Sequence, residues 1–319
     1  MFREPLTQNY RRNDLVSFGA ARYVFVMTRP PPSIGQLIRE WRQRRRLSQS
    51  ELACDAAISA KHVSFLETGR AMPDRDMVLH VSERLSIPLR EQNLMLRAAG
   101  FDPSYQERSL DDPAYRMTRQ SIELMLRMHE PNPAVAVDRH WTMAAANRVV
   151  AKLSAGVDPL LLSPPVNIIR LLLHPAGLAP RIINLAEWRQ HLIARLQQQI
   201  AATGDPVLVN LVAEVSLYPL PAGRARRTTP RDFESLAMPL RLATVHGPLA
   251  FFTTTTVFDR PVDITLAELA IEAFLPADAA TATIMRQIMA DKVPAPVTAQ
   301  GTPHLPPRPH RLVRRAATG

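Results

Sequence analysis

The sequence predicts a multidomain chain in which an all-α domain of five short helices precedes an α+β domain. Three observations support this reading. Between Ser33 and Gly100 apolar residues recur at helical spacing, separated by residues that cap or end helices. From Pro133 onward short alternating runs stand in separate blocks from longer helical patterns, which suits α+β and not a wound parallel sheet. The 319 residues are also enough to bury two cores.

Residues 1–32 show no clear period, carry Arg11 and Arg12, and end in Pro30-Pro31-Pro32, so a disordered basic tail is expected. Phe18 to Met27 lacks the continuous apolar core and cleavage site of a signal peptide. Met27 stands just before the prolines and is an alternative to Met1 as the start of translation.

Residues 33–101 form the first expected domain. Ile34, Leu37, Ile38 and Trp41 share one face of a helix from Ser33 to about Arg44. Ser48 and Glu51 have capping-box spacing, so a second helix starts near Gln49, with Leu52, Ala53 and Ala56 forming a small apolar face. Ile58 plugs a turn and Ser59 caps a third helix. Val63 and Leu66 point inward from it, leaving Ala60, Lys61, Ser64 and Phe65 outward. Gly69 ends this helix, and Arg70 follows. Pro73 and Asp74 open a fourth helix carrying Val78, Val81 and Leu85, and Pro88 separates it from a fifth, Leu89 to Ala99, closed by Gly100. Two short helices joined by a tight turn within such a set make a helix-turn-helix arrangement.

Leu47, Ser48, Gln49, Leu52, Ala53, Ile58, Ser59, Val63, Leu66, Glu67, Gly69 and Arg70 stand as they do in the helix-turn-helix family shared by phage repressors and XRE-type bacterial regulators. The stretch resembles that lambda-repressor-like family, which implies double-stranded operator DNA as partner. By resemblance, Gln49 holds a phosphate and Ala60, Lys61 and Phe65 face base edges, with Ser59, His62, Ser64 and Arg70 on the same contact surface. Ala60 and Phe65 replace amides seen in some phage members, which shifts readout toward thymine methyl groups. Arg42, Arg44, Arg45 and Arg46 either touch the DNA backbone or stand in solvent.

Residues 102–130 read as a linker and connecting helix. Asp102-Pro103 and Asp111-Asp112-Pro113 punctuate it, and Ala114 to His129 can be helical, with Met117, Ile122, Met125 and Leu126 on its apolar side. Such a helix could carry a signal or pair with its copy in a homodimer.

Residues 131–289 form the second expected domain. Val135 and Val137 share a strand face, Asp138-Arg139-His140 turns, and Trp141 and Met143 continue as a strand, after which Asn147 caps a helix with Val149, Val150 and Leu153. Asn184 and Glu187 can cap a helix carrying Leu185, Trp188, Leu192, Leu196 and Ile200, and Asp205-Pro206 starts another with Leu208, Leu211, Val212 and Val215. Leu236, Met238, Leu240 and Leu242 alternate as a strand, His246-Gly247 turns, and Leu249 to Val257 returns. Thr265 with Glu268 caps a final helix. Residues 290–319 are rich in Pro and Arg, which predicts a disordered tail.

The run from Pro133 to Leu153, Asn167 to Leu171, His174 to Leu178, Asn184 with Glu187-Trp188, and Thr253 to Asp278 resemble the ligand-binding domain of MmyB-like regulators, a PAS-like fold. That resemblance implies a pocket for a small apolar, fatty-acid-like ligand. Bulky apolar residues on the matching segments are its candidate walls, namely Val135, Val137, Trp141, Met143, Ile169, Trp188, Leu192 and Phe251. Arg170 or Arg189 would pair with a carboxylate head group.

Composition limits the rest. The net charge is +10, but the two tails supply +3 and +4, so basicity alone does not name the partner. The single cysteine, Cys54, allows no internal disulfide and suits a reducing cytoplasm. No apolar run approaches a membrane span. No HExxH, CxxC, GxGxxG, Walker or GxSxG motif occurs, so no enzyme and no cofactor is expected. His140 and His174 suit turn or capping roles better than metal or haem ligation, and Arg224, Arg226 and Arg227 read as a solvated loop. The expected function is a cytoplasmic, homodimeric, ligand-sensing transcription regulator. Its rivals are a DNA-tethered enzyme acting on a lipid or small metabolite, and an antitoxin-like protein-interaction regulator.

Overall fold

A computed structural model describes residues 32–220, 238–259, 261 and 263–290. The N-terminal tail to residue 31 with its Met27 start, the arginine loop at 224–227, Leu236 and the tail from residue 291 lie outside the described residues. Two compact units are present. One comprises the chain up to Leu85 with Met95–Phe101, and the other comprises Ser86–Leu94 and the chain from Asp102 on.

The first unit contains α1 (Ile34–Arg44), α2 (Gln49–Asp55), α3 (Ala60–Thr68), α4 (Arg75–Arg84) and the end of α5 (Leu89–Ala98). Local chemistry explains the boundaries. Ser33 and Ser48 each form a reciprocal capping box, with Gln36 and Glu51 respectively, and Gly69 ends α3 in the left-handed conformation at φ 73°. Ile34, Ile38, Trp41, Leu52, Val63, Leu66, Val78, Val81, Met95 and Leu96 form its core. The α1 and α3 helices approach very closely, because a Cβ on Gly35 would lie 2.4 Å from the Leu66 carbonyl oxygen.

A polar knot joins α1, α2 and α3. The Arg42 guanidinium donates to both carboxylate oxygens of Glu67, at 2.6 and 3.0 Å, and to the Leu47 carbonyl at 2.7 Å. Gln49 adds a third donor to Glu67 at 2.8 Å. Burial pushes the Glu67 carboxyl up, but the hydrogen bonds from Arg42 and Gln49 and the Arg42 charge outweigh it, so the group lies below its ordinary value. Arg45 donates to the Leu85 carbonyl at 2.8 Å, so Arg42 and Arg45 both hold the unit together.

The second unit is built on one antiparallel sheet. Its strands are β1 (Ala134–Val137), β2 (Met143–Ala146), β3 (Leu240–Thr244), β4 (Gly247–Val257) and β5 (Ala270–Pro276), in the order β2-β1-β5-β4-β3. The long β4 pairs with β3 through its first half and with β5 through its second. Helix α6 (Arg116–Met128) packs Ile122 and Leu126 with Ala134, Ala136, Ile271 and Ala273. The main core holds the alternate residues Val135 and Val137 together with α7 (Arg148–Leu153), α8 (Ile168–Leu173), α9 (Leu185–Thr203), α10 (Pro206–Ser216) and α12 (Ala279–Ala290). Because both faces of β1 are covered, all four of its residues are buried.

The structure corrects several local expectations. The segment after Thr265 does not continue as a helix. A single turn, α11 (Ile264–Ala267), capped by Asp263, leads into β5, where pairing with both β1 and β4 overrides local helix preference. Neither Asn147 nor Asn184 caps a helix through its side chain. Buried Asn147 bonds to Leu126, Asn132 and Ala134 backbone, and Asn184 bonds to Pro239 and Arg241. Met117 and Met125 lie on the exposed side of α6, since its buried stripe is only as wide as the small residues of β1 and β5 allow. Trp141 sits in the turn at φ 66°, not in a strand.

Two outcomes follow from the first unit. Gly35→Ala will lower unfolding free energy by about 1–3 kcal/mol, read from denaturant unfolding of the full chain, because the added carbon meets backbone that cannot move aside. The depressed Glu67 carboxyl contributes stability that is present above its ordinary value of 4.5 and is lost as pH falls through the folded value. Acid unfolding of wild type will therefore steepen below that pH, and Glu67→Gln will flatten the dependence.

Candidate nucleic-acid interface and ligand cavity

Within the first unit, the turn between α2 and α3 sets the geometry. Ala57 takes φ 52°, and the Ser59 hydroxyl accepts from the His62 N–H at 3.1 Å. Helix α3 therefore begins with Ser59, Ala60 and Lys61 exposed, while His62, Ser64 and Phe65 are half-buried. The Phe65 ring lies between two cations, Lys61 Nζ at 5.5 Å and the Arg70 guanidinium carbon at 5.9 Å from its centroid. Phe65 thus gathers the charges of Lys61 and Arg70 into one exposed positive patch. Gln49 is half-buried and spends a donor on Glu67, which orients the start of α2 toward α3.

Within the second unit, two adjoining cavities lie among the core residues. The larger has about 490 Å³ of atom-free space including its solvent-open part, of which about 50 Å³ admits the centre of a water molecule. Pro133, Val135, Leu153, Ile168, Leu172, Leu242, Phe251 and Phe274 are among its walls, with Ser154 its one polar side chain. The smaller is lined by Trp141, Ile168, Leu172, Trp188, Leu192, Arg195, Thr253, Glu272 and Phe274. Arg195 donates to both oxygens of Glu272, at 2.9 and 2.6 Å, and lies 4.5 Å over the Trp141 ring. Thr255, directly opposite Glu272 across β4 and β5, donates to it at 3.0 Å. His191 stacks on Trp188 at 5.2 Å. Burial first and the Arg195 charge second hold His191 below its ordinary value, so it is neutral near pH 7.

The candidate wall residues separate into two groups. Val135 and Phe251 line the larger cavity, and Trp141, Trp188 and Leu192 the smaller. Val137 and Ile169 are packed in the core, and Met143 packs against it, without lining either. Arg170 pairs with Glu214 at 2.7 Å, and Arg189 donates to the Tyr218 carbonyl at 2.7 Å, so both are engaged outside the cavities. Arg195, Glu272 and Phe274 went unread in the sequence. For Glu272 and Phe274 the one signal is the alternation of β5, which a helical reading of that segment hides; Arg195 lies on α9, and its partner Glu272 is distant in the chain. His140 pairs with Asp205 at 2.9 Å, and His174 accepts from the Ala176 N–H. Among the described residues no group of three His, Cys, Asp or Glu is placed to hold a metal, and no helix is long and apolar enough to cross a membrane.

Family comparison also finds two parts, although its first extends through Ser86–Leu94, which the structure groups with the second unit. A family model described as a helix-turn-helix domain matches residues 33–103, and one described as an MmyB-like transcription regulator ligand binding domain matches residues 118–288. The two define a DNA-binding protein carrying a regulator's ligand binding domain. The chain belongs to the MmyB-like transcription regulator ligand binding domain family. A comparison with curated proteins gave no match.

The Arg195–Glu272 pair yields a direct test. Glu272 has 3% side-chain exposure, so Arg195→Met will strand its charge and lower unfolding free energy by about 3 kcal/mol in denaturant titration.

Proposed function

We propose that this chain is a cytoplasmic XRE-type regulator that binds operator DNA as a homodimer and responds to a small apolar ligand of fatty-acid-like character. The observation that carries the DNA half is the exposed start of α3 together with Arg70 just past its end, since Lys61 and Arg70 both lie against Phe65. In this reading Ala60, Lys61 and Phe65 meet base edges in the major groove, and Ser59, His62, Ser64, Arg70 and Gln49 hold backbone or neighbouring groups. Two copies spaced by about one helical turn, 34 Å, would read a palindromic site. The second unit is read as PAS-like, a description supported by its antiparallel order β2-β1-β5-β4-β3.

The apolar walls of the larger cavity support a sensor that holds its ligand unchanged and is not an enzyme. A ligand preferring one dimer geometry shifts DNA affinity by no more than its differential affinity for the two states.

Mapping promoter occupancy across the source genome, followed by anisotropy titration on the recovered site, tests the whole reading. Binding that ignores sequence or salt would sink it. In the same titration Lys61→Ala will weaken operator binding by about 1–3 kcal/mol and narrow the gap between operator and scrambled duplex, while leaving unfolding unchanged because the side chain is exposed.

A further inference from the structure

The larger cavity has one polar side chain in its wall, Ser154, which stands just past the end of α7 and is 3% exposed. Its backbone N–H donates to the Val150 carbonyl and its carbonyl accepts from the Val157 N–H, but its hydroxyl has no partner among the described residues. Serines elsewhere in the chain return such a hydroxyl to the backbone, as Ser82 does to Val78 and Ser216 to Val212. A buried hydroxyl left unpaired is unfavourable, and in the wall of an apolar cavity it is open to whatever enters.

A cation stands beside it. Arg181 Nη1 donates to the Leu153 carbonyl at 2.7 Å and to the Ala155 carbonyl at 3.3 Å, the residues on either side of Ser154. Its Nε donates to the Ala243 carbonyl at 3.3 Å. Leu153 and Leu242 are both wall residues, so Arg181 ties the end of α7 to β3 along one edge of this cavity. Arg148, Arg170 and Arg195 in the same unit each meet a carboxylate, whereas Arg181 meets none among the described residues and its Nη2 makes no hydrogen bond there. Burial holds its guanidinium below the ordinary arginine value, and no acidic neighbour offsets that.

We propose that Ser154 and Arg181 form the head-group site of the larger cavity, where the Ser154 hydroxyl donates to a ligand carboxylate and Arg181 supplies the countercharge. This rests on the ligand-sensing reading above and assigns the residues that select the ligand. The alkyl part then lies among Val135, Phe251 and Phe274, walls that offer it only apolar surface. An uncharged head group satisfies the hydroxyl but leaves the Arg181 charge unanswered, so the site favours a monoanion. Arg170 and Arg189, engaged elsewhere, take no part.

The test uses the full chain, stripped of carried lipid, with octanoate and 1-octanol as probes of equal carbon number. Calorimetric titration is expected to show octanoate binding about tenfold or more tightly than 1-octanol, the size of one charge-assisted hydrogen bond. Ser154→Ala should weaken octanoate about tenfold. Arg181→Gln should weaken octanoate about tenfold and leave 1-octanol unchanged, while Arg181→Lys, which keeps the charge, should retain a preference for octanoate. In wild type, 1-octanol binding as tightly as octanoate overturns the proposal even if no variant folds. Octanoate affinity unchanged in Ser154→Ala, or equal loss of both probes in Arg181→Gln, also overturns it. Binding of neither probe overturns the ligand-sensing reading and this proposal with it, which is distinct from a failure confined to the head group.

Discussion

Glu67 and Glu272 are each withdrawn almost wholly from water, and each is met by a single arginine that donates to both carboxylate oxygens. A buried carboxylate left alone would be very unfavourable, so the helices or strands that carry these pairs are bound to one another's position. In the first unit the pair joins α1 to α3 and recruits Gln49 from α2, so these three helices share one polar junction. In the second it joins α9 to β5, beside the smaller cavity.

The first unit shows how such a junction positions a surface that it does not touch. Glu67 points inward from α3 while Lys61 and Phe65 sit on the other side of the same short helix. Any rotation of α3 that improved the exposure of one side would break the Arg42 bonds on the other. The close α1–α3 approach at Gly35 removes the remaining freedom, because only a residue without a Cβ lets the two backbones come so near. The exposed patch is thereby held ready before any partner arrives.

The second unit turns a five-stranded sheet into a container by covering it unevenly. Small residues, Ala134, Ala136 and Ala273, face α6 and let that helix lie close. Large residues face the other helices and leave space that they do not fill. The same alternation that buries Ile271 and Ala273 beneath α6 delivers Glu272 to the opposite side, into the wall of the smaller cavity.

Helix-turn-helix spacing, the capping boxes, the ending of α3 at Gly69 and the outward placement of Lys61 were legible in the amino-acid order, because each depends on residues within a few positions of one another. The antiparallel strands flanking His246-Gly247 were legible for the same reason. The nature of the segment after Thr265 was not, since its helix-forming residues become β5 only through pairing with β1 and β4, strands distant in the chain. Nor were the partners of Asn147, Asn184, Arg42 and Arg170, whose local patterns suit caps, DNA or ligand contacts but whose side chains found backbone and carboxylate groups from elsewhere. Sequence by itself determined the order of the two folds and the face that α3 turns outward. Tertiary structure alone decided which charges cancel and where space remains, because those properties belong to groups brought together across long chain separations.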